Sequence, residues 1–245
     1  MRISVELVPR NIESLHEQLV QVTDYCPSAD TINIPDVLRF DLRSWQACAQ
    51  AKRLFEHAIP HIRAMDVDLK IPLKQGPYLR SHDIREVLVV TGDAPVDMSY
   101  KVYGSSAIDV IKKLRLELPE VKIYAALDPY RQSFVAERDY ALQKLEAGAT
   151  GLFTQPFFDV RLMEVYADLL AGIEVFWGVT SVTSPRSARY WKTRNKVFFP
   201  ASFEPTLAWN RALARDALSF VRERDANIYF MPIRTDVKSY LEGIL

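Results

Sequence analysis

Two carboxylates (Glu6 and Asp93), one imidazole (His61) and one primary amide (Gln155) each stand at the end of a short apolar run in this sequence. Gathered at one place, a proton donor, an anion and a polar recognition group are the equipment of general acid–base chemistry. Each also has a plainer reading. Glu6, in Val5-Glu6-Leu7-Val8, is either a buried acid that must be paired or neutral, or an acid facing solvent on an irregular first strand. Asp93 follows Gly92 after Val87-Leu88-Val89-Val90, a place equally suited to capping a turn. His61, behind Pro60, serves equally well as a structural histidine. Gln155, in Phe153-Thr154-Gln155-Pro156-Phe157-Phe158-Asp159, reads as a recognition group set in an apolar wall. No spacing of His, Cys and carboxylate matches a metal site, and no nucleophile elbow surrounds a Ser-His-Asp set.

Such groups meet only if the intervening elements carry them there. Eight short β-rich runs alternate with longer amphipathic stretches: Ile3–Leu7, Thr31–Ile34, Ala58–Ile62, Glu86–Thr91, Val121–Ala126, Gly151–Gln155, Glu174–Gly178 and Asn227–Met231. Several lack polar alternation, as strands buried on both faces do. Helical spacing is clearest over Ser105–Leu118, Ser133–Ala147 and Pro205–Arg224, the second stopping at Gly148. Lys70–Ser81, with Pro72, Gly76 and Pro77, reads as a loop. Eight strands joined by right-handed helical crossovers predict an α/β fold, a (β/α)8 TIM barrel spanning residues 1–245 as one domain. A doubly wound open sheet would show fewer strands and a glycine-rich first turn. In a barrel, chemistry collects where strands end. The other polar groups at such positions are Asn33, Asp36, Thr91, Asp128, Thr154, Asp159, Thr180 and Ser181.

The 245 residues suffice for one large core without metals or disulfides. With 31 basic and 31 acidic side chains, no global field gathers nucleic acid or anionic membrane. Cys26 and Cys48 support neither a disulfide framework nor a zinc site. No apolar run approaches the ~20 residues of a membrane span, and the opening Arg2-Ile3-Ser4-Val5 is unlike a signal peptide. The expectation is a cytoplasmic protein.

The motifs, taken in order, resemble the methylenetetrahydrofolate reductase family. Ser4-Val5-Glu6-Leu7-Val8-Pro9 is similar to the family's opening F-E-F-F-P-P, Pro60-His61-Ile62 to P-H-L-T-C, and Val90-Thr91-Gly92-Asp93-Ala94-Pro95 to L-R-G-D-x-P. Ala125-Ala126 resembles the A-A-Y-P strand end, and Leu142–Ala149 resembles L-x-x-K-x-x-A-G-A. Phe153–Asp159 is the closest counterpart, matching I-T-Q-x-F-F-D. The resemblance implies a flavoprotein that takes hydride from NADH or NADPH through FAD to reduce 5,10-methylenetetrahydrofolate to the 5-methyl product. It implies Glu6 as the acid that opens the folate's imidazolidine ring, Asp93 as the stabiliser of the iminium, and Gln155 as the pterin-recognising amide. Trp191, with Tyr190 beside it, matches the aromatic that stacks on the substrate. Asn33, His61, Asp93, Tyr103, Gly104, Ser105, Ala126, Arg131 and Lys144 match flavin-contact positions. A homo-oligomer or a partner redox subunit is compatible with the family.

The sequence departs from the family chiefly on the flavin side. V-T-Y-G becomes Ile32-Asn33-Ile34-Pro35, the arginine before Gly-Asp becomes Thr91, and A-A-Y-P-E-x-H-P becomes Ala125–Gln132, with Arg131 near the family histidine. P-G-I-x-P becomes Trp177-Gly178-Val179-Thr180-Ser181. These changes also fit a pterin-binding barrel that acts as a methyltransferase or carrier, or a non-catalytic folate- or flavin-binding subunit.

Overall fold

Parallel strands β1 (Ile3–Glu6), β2 (Thr31–Ile34), β3 (His57–Arg63), β4 (Glu86–Val90), β5 (Lys122–Leu127), β6 (Gly151–Thr154), β7 (Val175–Thr180) and β8 (Asn227–Met231) pair in chain order. β8 returns to β1, and the barrel closes. The computed structural model describes residues 1–94 and 100–245. Pro95, the last residue of the motif that begins at Val90, lies outside the described residues. Between the strands run α1 (Ile12–Tyr25), α2 (Ser44–Ala51), α3 (Gly76–Ser81), α4 (Ala107–Glu117), α5 (Phe134–Glu146), α6 (Val160–Leu169), α7 (Pro185–Arg194) and α8 (Leu207–Glu223), with α9 (Val237–Leu241) after β8. Among the described residues no helix is long and apolar enough to cross a membrane.

Strand alternation divides the side chains. Val5, Ile32, Ile62, Val87 and Ile228 join the shell packed between strands and helices. Ile59, Leu88, Tyr124, Phe153, Phe176, Tyr229 and Met231 form a separate cluster that fills the barrel. Ser4, Glu6, Asn33 and His61 share strand parity with that inner set, so they too turn inward. Gly178 makes the interior possible at its tightest point. A Cβ there would stand 2.7 Å from the Tyr229 ring and 2.8 Å from the Thr154 carbonyl oxygen.

Helix starts follow the strand ends closely because short polar side chains cap them. Asn11 accepts from the Ser14 amide, Ser106 from Asp109, Ser133 from Ala136, and Asp159 from Arg161. The stretch expected as a loop, Lys70–Ser81, instead contains α3. Pro77 is tolerated in its first turn, where no amide hydrogen is needed, and Leu79 is fully buried.

The N-terminal end of the barrel is closed by a polar floor. Arg2 donates from Nη1 and Nη2 to the two oxygens of Glu86, at 2.7 and 3.0 Å, and from Nη1 to the Tyr124 hydroxyl at 3.1 Å. His57 Nδ1 lies 2.8 Å from Glu86 Oε2. Burial alone would raise the Glu86 pKa, but the hydrogen bonds and charge of Arg2 outweigh it and hold the carboxylate below its ordinary value. Arg2→Met leaves that carboxylate buried without its cation and is expected to cost about 3 kcal/mol or more in urea unfolding. A loss below about 0.5 kcal/mol, typical of a surface change, would show that the floor does not depend on this pair.

Candidate active site

With the floor sealed, the C-terminal rim is where inward groups can meet a ligand, and the first three strands deliver a connected set there. Register pairs Glu6 with Asn33, and Ser4 lies one inward step below. The Ser4 hydroxyl donates to Asn33 Oδ1 at 2.8 Å. Asn33 Nδ2 donates to Glu6 Oε2 at 3.1 Å and lies 3.1 Å from His61 Nε2. Burial pushes the Glu6 carboxyl up to about 7, with the Asn33 bond opposing it weakly. Burial likewise pulls His61 down to about 3, so the imidazole is neutral at physiological pH. Its 4.0 Å approach to Glu6 is therefore not an ion pair. A carboxyl that titrates near neutrality can give up a proton where an ordinary glutamate already has.

Glu6 opens into a cavity of about 710 Å³. Tyr190 and Trp191 of α7 line it, together with Leu7, Phe40 and Ile233. Trp191 is 7% exposed and set edge-on to Phe158 at 5.7 Å, whereas Tyr190 is exposed. Arg10, Arg39 and Arg234 also line the cavity, and none of them forms an ion pair among the described residues. Gln18 of α1, which sequence reasoning missed, lines it as well, and its Oε1 is buried without a hydrogen-bond partner among the described residues. The available signal was a polar stripe, Ser14, Gln18 and Gln21, beside the buried Leu15, Leu19 and Val22.

Asp93 and Gln155 end β4 and β6 on the same rim but are not part of this cavity's lining. Both side chains are exposed. Gly92 turns the chain there with φ +89°, and a Cβ would press to 3.1 Å on Met65 and 3.2 Å on Arg63. Arg63 Nη2 donates to the Asp93 carbonyl at 2.6 Å, so a guanidinium from β3 stands at the turn where the sequence has Thr91. Beside Gln155, Phe157 and Phe158 turn into the core. The remaining strand-end groups are structural. Asp36 accepts from Arg43 and the Ser44 amide, Asp128 from the Tyr130 amide, and Thr180 donates to the Met231 carbonyl.

Most of the positions matched to flavin contacts are engaged by the protein's own groups. Asn33 and His61 are bonded to each other and to Ser4 and Glu6. Lys144, 2% exposed, donates to the Ala126 carbonyl at 2.6 Å and sits over the Tyr140 ring. Arg131 is held by the fully buried Glu137, at 2.7 and 2.8 Å from its two oxygens, and the Ser105 hydroxyl donates to the Val67 carbonyl. Tyr103 uses its amide on the Met65 carbonyl, and Gly104 faces open space rather than a close approach. Asp93, by contrast, is exposed, and Tyr103 lines a separate cavity of about 340 Å³ together with Arg43, Arg63 and Lys101.

The family model for methylenetetrahydrofolate reductase matches residues 10–217, so Glu6 stands just before the matched segment. No curated protein sequence matches the chain. Among solved structures, a Clostridium thermocellum protein described as binding two copies of 5-methyl-5,6,7,8-tetrahydrofolic acid superimposes with a TM-score of 0.66 at 12% identity, covering 98% of this chain and 92% of that one. Oxaloacetate acetylhydrolase has a TM-score of 0.61 at 8% identity, covering 98% and 77%. 2,3-Dimethylmalate lyase has 0.57 at 9%, covering 95% and 75%. At these identities the structures show a common fold.

The position of Glu6 carries a stability consequence. Its folded-state pKa lies above the ordinary value, so its contribution is fully present below about pH 4.5 and is lost as pH rises through about 7. Glu6→Gln removes the ionisation penalty. The variant should match the parent protein in acid and exceed it by about 2–3 kcal/mol at about pH 8. Equal stability of the two proteins in alkaline buffer would show that Glu6 titrates as an ordinary carboxylate.

Proposed function

The chain belongs to the methylenetetrahydrofolate reductase family, and from that premise we propose that it binds a reduced folate in the cavity beside Trp191 and acts on it through Glu6. The observation that carries the reading is a carboxyl poised near neutrality on an aromatic-walled cavity. In this reading the pterin lies against Trp191 and Tyr190, where flat rings pack at little entropic cost. Arg10, Arg39 and Arg234 suit the carboxylates at the other end of a folate. Glu6 in its protonated form gives its proton to the folate nitrogen that leaves the one-carbon bridge; the electron pair of the broken C–N bond stays on that nitrogen, the carbon is left as an iminium on the other nitrogen, and Glu6 is left as the carboxylate. Asp93 and Gln155 serve the part of the ligand that projects across the rim. The internal bonds that already engage Asn33, His61, Arg131 and Lys144 favour folate binding with acid–base chemistry over flavin-mediated hydride transfer. Family membership favours a second reading, the complete reduction of 5,10-methylenetetrahydrofolate by NAD(P)H through FAD.

The test uses 5-methyltetrahydrofolate, titrated into the purified protein while tryptophan fluorescence and heat are followed. Saturable binding is expected, with Trp191→Ala weakening it about tenfold, or about 1.4 kcal/mol. Glu6→Gln should bind as the parent does, since an amide copies the protonated acid. No binding to the parent protein would overturn the proposal. The visible spectrum separates the two readings. A protein without flavin bands, whose melting temperature added FAD leaves unchanged, fits the first, while a yellow protein that oxidises NAD(P)H only when methylenetetrahydrofolate is present establishes the second.

A further inference from the structure

Asn33 occupies the centre of the inward cluster, and its partners restrict what each can be. Ser4 donates to its oxygen, and the amide nitrogen lies toward Glu6 Oε2 and His61 Nε2. An ionised carboxylate only accepts, and a neutral imidazole nitrogen facing an N–H donor must be the unprotonated one. Two amide hydrogens therefore serve two acceptors on two neighbouring strands. The ring's own proton is left on Nδ1. Glu6 Oε1 makes no hydrogen bond within the described residues, so Oε1 is the oxygen free to carry the transferable proton. Asn33 and Ser4 are both fully buried, which shields the cluster from competing water.

We propose that Asn33, its amide oxygen held by Ser4, is the positioning residue of this site: it ties up Glu6 Oε2 and locks His61 as the neutral Nδ1–H tautomer, so that Glu6 presents its proton on Oε1 alone. The role rests on Glu6 being the acid of the proposed function, whereas the hydrogen-bond pattern stands on geometry and is measured without any ligand. The other charged and titratable groups around Glu6 do not compete for the amide. Tyr229 of β8 donates its hydroxyl to the Thr154 carbonyl. Arg10, Arg39, Arg234, Glu17 and Asp236 line the outer cavity. They make no hydrogen bond to Glu6 among the described residues, and its raised pKa comes from burial, opposed by the Asn33 bond.

The reversed amide is the arrangement to be distinguished. It would accept from a protonated Glu6 and from an Nε2–H imidazole, and would donate to Ser4. Nitrogen-15 spectra of histidine-labelled protein, with His61 assigned by its loss in His61→Gln, separate the two. The expected result is a neutral Nδ1–H ring for His61 between about pH 5 and 8. Ser4→Ala should turn this into a mixture of tautomers. Asn33→Leu should also move the Glu6 carboxyl titration, followed by infrared difference against Glu6→Gln, upward by about one pH unit, because the ionised form loses its donor. If Asn33→Leu fails to fold, the tautomer in the parent protein and in Ser4→Ala decides alone. An Nε2–H or charged His61 in the parent, or a tautomer indifferent to Ser4→Ala, would overturn the proposal. If His61 behaves as expected but 5-methyltetrahydrofolate does not bind, the hydrogen-bond pattern stands while the folate reading and the positioning role fall together.

Discussion

The structure depends on one constraint: polar groups turned into a closed barrel must find their partners on neighbouring strands, because burial leaves them little contact with water. The constraint is met twice, with opposite electrical results. At the floor, Glu86 receives a guanidinium from Arg2 and stays ionised below its ordinary range. At the rim, Glu6 receives only the amide of Asn33 and faces a neutral imidazole, so burial dominates and the carboxyl rises to about 7. The choice of partner, a cation or a neutral amide, separates a structural carboxylate from a chemically poised one.

The same accounting bears on the flavin side. Arg131 is held by the fully buried Glu137, Lys144 donates to the backbone of β5, and Arg63 supplies the guanidinium at the Gly92 turn. The cavity that Glu6 lines remains open, flanked by Arg10, Arg39 and Arg234.

Much of the fold was legible because its signals are local. Thr31–Ile34 and Asn227–Met231 begin and end where their apolar runs do, and the other strands shift by one or two residues at their ends. Residues 70–81 misled because Pro77 and Gly76 read as loop formers, although proline in a first helical turn breaks nothing. Of the site, Glu6 and Trp191 were legible through motif resemblance, and the structure sets them on one cavity. Gln18 was not, because a polar residue on an amphipathic helix looks the same whether it faces solvent or a cavity.

The sequence by itself determined that eight strands alternate with helices, and that an acid, an imidazole and two amides end up inside or on one rim, since strand parity and apolar spacing are properties of neighbours along the chain. Only the tertiary structure decided what those groups are. Whether Glu6 meets a cation or an amide, and whether Asn33 and His61 face a ligand or each other, depends on which strands lie side by side and how far each side chain is removed from water. Those are distances between residues far apart in the chain, and they set the proton affinities on which any chemistry here turns.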